Sequence, residues 1–225
     1  MRSKRAVVVP DWHSAADPAT VGIRVPFVRP VLPTLADLQP AFEQIVAGGR
    51  LTKGPFVERL ELAIAEHLGV RHAVAVSSCT VGLLLVYRGL DLAAGSCRSR
   101  RRRGDDCGVA ALEPLGRFGS ARTAGRSEPL GEVIIPSFTF LAAPAAVVWN
   151  DLRPVFVDVD PRTTNVTAQA VAAAITPRTV AISACHNFGN PCDVAALAAV
   201  AAEHGLPLVV DAAHGFGASL HGRPV

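Results

Sequence analysis

Three short stretches of this chain place residues capable of chemistry at strand-to-helix turns. The first, SSCTVG from Ser77 to Gly82, gathers hydroxyls just ahead of an apolar helix. Hydroxyls and the unpaired amides of a helix N-terminus together make an anion pocket suited to a phosphate. An ordinary Ser/Thr N-cap fits the same residues. The second stretch, PSFTF from Pro136 to Phe140, sets an aromatic ring after a strand. Such a ring can lie flat on a planar ligand or simply join the core. The third, PLVVDAAHGFGA from Pro207 to Ala218, is apolar up to Val210, then gives Asp211 and, three residues on, His214.

A continuous apolar run reads as a strand buried on both faces, the habit of a parallel sheet. Asp211 then ends a central strand, where open α/β sheets place their ligands. An anion at the rim of a dry sheet is costly unless a cation or donor meets it. The alternative is an Asp that caps the next turn. Taken together, the three turns offer a phosphate cradle, a stacking ring and an anionic partner for a cationic heterocycle. Pyridoxal 5'-phosphate needs all three, because its electron sink works best with the ring nitrogen protonated. Other chemistries lack their signatures: there is no GxGxxG and no GxxxxGK[ST]. The five cysteines (79, 97, 107, 185 and 192) form no CxxC pair and read as reduced thiols.

The elements that must position these turns follow from pattern. Residues 1–22 lack periodicity and read as a loose tail. LADLQPAFEQIVAGG predicts a helix ending at Gly48-Gly49, and a second helix starts near Pro55 and stops at Gly69. HAVAVSS (72–78) reads as a strand and 80–90 as an apolar helix. Strands at 132–136, 154–160, 179–185 and 207–211 then alternate with helices at about 139–149, 167–175 and 193–205. Asp193 is the expected N-cap of the last helix and Gly205 its stop. Strand–helix alternation implies βαβ units: a three-layer α/β fold, its mostly parallel sheet covered by helices on both faces.

A chain of 225 residues, half of them apolar, can bury a sizeable core. No apolar run approaches the ~18–20 residues that span a bilayer, so a cytoplasmic protein is the expectation. The net charge of +3 belongs to one segment, 95–130, which holds eight Arg and four acids. Without it the balance is −1. That Arg- and Gly-rich segment has no sustained apolar face and reads as a disordered insertion or a frame artefact. A nucleic-acid arm built on Arg98–Arg103 is the rival reading, with Phe118 its lone aromatic.

SSCTVGLLL, PSFTF, PVFVDVDPRTTNVTAQAVAAAITPRTVAI, HNFGNPCDV and VVDAAHGFGA, in this order, resemble the DegT/DnrJ/EryC1/StrS family of sugar-nucleotide aminotransferases. The resemblance covers about 23–94 and 131–225. It implies the large domain of a PLP-dependent transferase, a nucleotide-sugar substrate, an amino-acid donor and a homodimer. By position it assigns the cofactor phosphate to Ser78, Cys79 and Thr80, with Cys79 where the family has Gly or Ala. Phe140 matches the aromatic stacked on the cofactor ring, and Asp211 the carboxylate paired with its nitrogen. His214 matches the Gln or His near the ring hydroxyl. His186 falls in the family's H-x-x-G turn, with no role assigned.

The departures are as informative. The family's Schiff-base Lys lies downstream of this Asp, and the two lysines here, Lys4 and Lys53, do not match it. The expectation is an N-terminal portion, 23–225, interrupted at 95–130, that does not complete a transamination. A non-catalytic, cofactor-binding half is the alternative, and a dehydratase branch with His for Lys a further one. An uncovered apolar patch and an open sheet edge are expected to accompany such a portion.

Overall fold

The computed structural model describes residues 32–90, 92 and 131–225. The tail at 1–22 and the segment 95–130, with its Arg run, lie outside the described residues. The described residues fall into two compact units that divide between Gly54 and Pro55. The first unit contributes α1 (Leu35–Gly48), which opens on a capping box between Thr34 and Asp37. It closes on Gly49, whose φ of 65° is the left-handed conformation that ends helices.

In the second unit, α2 (Pro55–Leu68) begins at its proline, a residue that lacks only an amide the first turn leaves unpaired anyway. Then follow α3 (Cys79–Gly89), β1 (Glu132–Pro136), α4 (Ala142–Val148), β2 (Arg153–Val157), α5 (Ala168–Ala174) and β3 (Thr179–Cys185). α6 (Val194–Glu203), β4 (Leu208–Asp211) and the short antiparallel pair β5 (Ser219–Leu220) and β6 (Arg223–Pro224) complete it. The main sheet has the order β2-β1-β3-β4, and every pairing is parallel.

Alternation along β1 divides the core. Val133 and Ile135 join Leu83, Tyr87, Ala143 and Val147 of α3 and α4 on one face. Ile134 joins Val171, Leu197 and Ala201 of α5 and α6 on the other. A strand fully buried on both sides explains why EVIIP is apolar throughout after its first residue. That first residue, Glu132, is buried and accepts from the Thr176 hydroxyl at 2.7 Å, with Arg153 and Arg178 within 3.6 and 3.7 Å. The three-layer α/β architecture expected from the strand–helix alternation is thus observed.

Four elements depart from expectation. Residues 72–78 form no strand, and no described segment pairs with them: the Ala75 amide donates instead to the Glu61 carboxylate at 2.9 Å. The helix expected from 139 starts at Ala142, after a bend over Ser137–Thr139. β2 stops at Val157, and Val159 instead bridges antiparallel to Val166 across a turn. β4 is not central but stands at the sheet edge, with Leu208 and Val210 half-buried. Its outer edge is open among the described residues, as the sequence led us to expect.

Candidate functional site

The site forms where β3 and β4 end and α3 begins. Asp211 is the last residue of β4 and lies directly opposite Cys185. It is 4% exposed. Its Oδ1 accepts from the Ala213 amide at 2.9 Å and from Cys79 Sγ at 3.4 Å. No ion pair reaches it among the described residues. A buried carboxylate held by two donors but no cation is electrostatically incomplete.

α3 presents its N-terminus beside this group. Ser78 is the N-cap, and its hydroxyl accepts from the Val81 amide at 3.2 Å. The Gly82 amide turns back to the Ser78 carbonyl at 2.9 Å. The amides of Cys79 and Thr80 keep no partner within the helix, as first-turn amides must. Desolvation of the sulfur, with the Asp211 charge adding to it, pushes the Cys79 thiol up to about 11. At neutral pH it is therefore an S–H donor.

Beyond β4, His214 lies in the turn that follows. Phe188 stacks on it with ring centroids 6.1 Å apart and planes inclined by 21°. Phe138 tilts against Phe188 at 5.9 Å. Phe188 holds φ at 54°, a strained value for a bulky residue and one that collects at functional turns. Phe140 stands 72% exposed, outside this ring cluster. The geometry thus gathers Cys79, Asp211 and their neighbours Ser78, Thr80 and His214. Among the ring contacts, Phe138 rather than Phe140 adjoins the His214 side.

Two residues that sequence reasoning left without a role hold these turns together. His186 is 2% exposed, and its Nδ1 accepts from the Cys192 amide at 3.1 Å. Burial holds its pKa below the ordinary histidine range, with the Asp211 charge opposing. Asn187 donates from Nδ2 to the carbonyls of Phe138 (3.0 Å) and Thr164 (2.6 Å). Its own amide donates to Asn165 Oδ1 at 3.3 Å. HNFGNPC is rich in turn formers, but only the fold brings it against 138 and 163–165. The hydroxyls of Tyr87, Thr139 and Ser183 are buried with no partner within 3.5 Å among the described residues. A cavity of about 660 Å³ is lined by His186, Val210 and Ala212, by Val194 and Ala198 of α6 and by the β5–β6 turn. It excludes the Asp211 carboxylate.

These residues fit pyridoxal phosphate. The cationless carboxylate suits a protonated ring nitrogen, and the free amides of α3 with their flanking hydroxyls suit a phosphate. Among the described residues, no cluster of His, Cys, Asp and Glu suits a metal ion.

Comparison with known proteins agrees. A dTDP-4-amino-4,6-dideoxy-D-glucose transaminase of Escherichia coli is 31% identical over 202 residues, which is 89% of this chain and 44% of that protein. The crystal structure of DesI with its TDP-sugar product is 36% identical, with a TM-score of 0.63, and covers 92% of this chain and 45% of DesI. DesV of S. venezuelae is 30% identical with a TM-score of 0.63, covering 84% and 42%. The chain spans a little under half the length of these relatives. The family model of the DegT/DnrJ/EryC1/StrS aminotransferases matches residues 35–97 and 121–225, so the chain belongs to that family.

Proposed function

We propose that this chain carries the cofactor cradle of a PLP-dependent aminotransferase acting on keto-sugar nucleotides. The observation that carries the reading is Asp211: a buried carboxylate that no described cation meets, at the C-terminal end of a parallel strand and beside a helix N-terminus. When bound, pyridoxal phosphate supplies an electron sink for chemistry at an amine-bearing carbon.

The chain's own residues do the rest. Asp211 holds a proton on the ring nitrogen by offering it an anionic acceptor in a dry setting. The amides of Cys79 and Thr80, with the hydroxyls of Ser78 and Thr80, bind the phosphate. His214, stacked on Phe188, is the proposed donor to a ring substituent. Phe140 is the residue offered for stacking, and it is exposed enough to move onto a ligand. The amine nucleophile this chemistry requires is not among the assembled groups. Lys53 stands in the bend that precedes α2.

The Escherichia coli relative is named for a dTDP-sugar, and the DesI structure was determined in the presence of its TDP-sugar product. A nucleotide-sugar acceptor, an amino-acid donor such as glutamate and a homodimeric assembly are the corresponding proposals here. A cytoplasmic location goes with them, and no described helix is long and apolar enough to cross a membrane.

The test is a titration of the full chain with pyridoxal phosphate, followed by quenching of tryptophan fluorescence. Saturable binding should weaken ~10–100-fold in Asp211→Asn, the usual worth of a hydrogen bond to a charged group. Equal affinity in the two proteins would refute the reading.

A further inference from the structure

Both donors to Asp211 end on the same oxygen. The Ala213 amide and the Cys79 thiol converge on Oδ1, and no described donor reaches Oδ2. We propose that Cys79 is a positioning residue: its thiol, with the Ala213 amide, ties down Oδ1 and leaves Oδ2 to take the N–H of a cationic heterocycle. The proposal rests on the cofactor reading above and deepens it, by stating which oxygen serves the ligand and what fixes the carboxylate plane.

The physical case begins with the torsion. The terminal torsion of an Asp side chain is broad and roughly two-fold, so an unrestrained carboxylate presents either oxygen. Two donors on one oxygen, approaching from different elements, remove that freedom. The Ala213 amide is local, two residues on, and turns with the Asp211 loop. The Cys79 thiol comes from α3 and ties the carboxylate to the very helix end that would hold the phosphate. The two ends of a ligand would thus be held in one fixed relation.

A thiol is also a weak donor that leaves most of the charge on the carboxylate. A lysine or arginine in its place would neutralise the anion and abolish its attraction for a ring cation. The elevated thiol pKa keeps the proton on sulfur throughout the neutral range. Sequence placed Cys79 among the phosphate ligands. In the fold its backbone amide remains available for that task, while its thiol donates to Asp211.

Two measurements on the full chain test this. The first needs no cofactor: the pH profile of Cys79 alkylation by iodoacetamide, read by mass spectrometry of its peptide. The expected inflection near 11 in the parent moves to lower pH in Asp211→Asn, with several-fold faster labelling at pH 8.5. Superimposable profiles would overturn the contact.

The second is pyridoxal phosphate affinity in Cys79→Ala and Cys79→Ser. We expect about a five-fold loss in the alanine variant, the usual worth of one neutral donor, and recovery to within two-fold in the serine variant. A packing role would not be rescued by a smaller hydroxyl, so an alanine variant that binds like the parent, or a serine variant no better than alanine, overturns the proposal. If the parent binds no pyridoxal phosphate, the functional reading falls and takes the ligand half of this proposal with it. The alkylation profile judges the thiol–carboxylate contact in either case.

Discussion

The backbone amide of His186 donates to the carbonyl of Asp211 at 3.0 Å, so the β3–β4 ladder continues one step past the end of β3. The same histidine accepts the Cys192 amide on its ring. One residue therefore fixes the Asp211 main chain and the loop that carries Phe188.

This double role predicts acid sensitivity. His186 has a folded pKa below its ordinary value near 6.5, through burial. Between the two values the unfolded chain binds more protons, so stability falls as pH drops through 6.5 and levels off below the folded pKa. Protonation would also place a proton on Nδ1, where it now accepts. Urea midpoints should fall from pH 7.5 to pH 5.5, by at most about 1.4 kcal/mol per pH unit in that window. A His186→Asn variant should be less stable at pH 7.5 and show a flatter pH profile.

Gly215 makes a second prediction. A Cβ there would sit 2.8 Å from His186 Cδ2 and 3.0 Å from its Cβ. The ring is buried and hydrogen-bonded, so it cannot swing aside freely. Gly215→Ala should cost about 1–3 kcal/mol, as overpacking does, while a Gly217→Ala control meets no neighbour and suffers only backbone strain at its φ of 87°. Thermal or urea unfolding of both variants checks the contrast.

Asn187 ties three turns together through its side chain. Asn187→Ala removes the two hydrogen bonds to the Phe138 and Thr164 carbonyls and should destabilise by about 1–3 kcal/mol. It should also loosen the Phe138–Phe188 contact, lowering pyridoxal phosphate affinity beyond what lost stability explains. Asn187→Asp provides the comparison, since it cannot donate to either carbonyl.

Exposed apolar residues carry a fourth prediction. Val74 is 79% exposed in a segment that pairs with no described strand, and the outer edge of β4 is open among the described residues. Such features recruit other chains. Val74→Lys should reduce light scattering on concentration while changing folding stability by no more than about 0.5 kcal/mol.

Much of this was legible in the chain itself, for definite reasons. The Gly48-Gly49 stop, the Pro55 start and the Asp193 cap are local signals, and each helix boundary they mark is observed close by. β1, β3 and β4 were visible as apolar runs because a parallel strand covered on both faces has no polar side to show. HAVAVSS misled for the complementary reason. Alternation states what a strand could bury, but a ladder needs a partner that pattern does not name. The Phe140 neighbourhood was misjudged locally, since Ser137 and Thr139 favour a bend over an early helix start. The Cys79–Asp211 hydrogen bond joins residues 132 positions apart, and no local rule reaches that far. Asp211 itself was found because a charge closing an apolar run is costly wherever it lies.

The order of the sheet, β2-β1-β3-β4, also governs how the polypeptide assembles as it is made. Emerging first, β1 receives β2 on one flank and β3 on the other, and β4 is then added outside β3. Each strand after the first meets a neighbour already synthesised, so the sheet grows outward from its most deeply buried member. Among the described strands no gap in the ladder is left to be filled later, and β4, which ends in Asp211, is the last of the four to be synthesised.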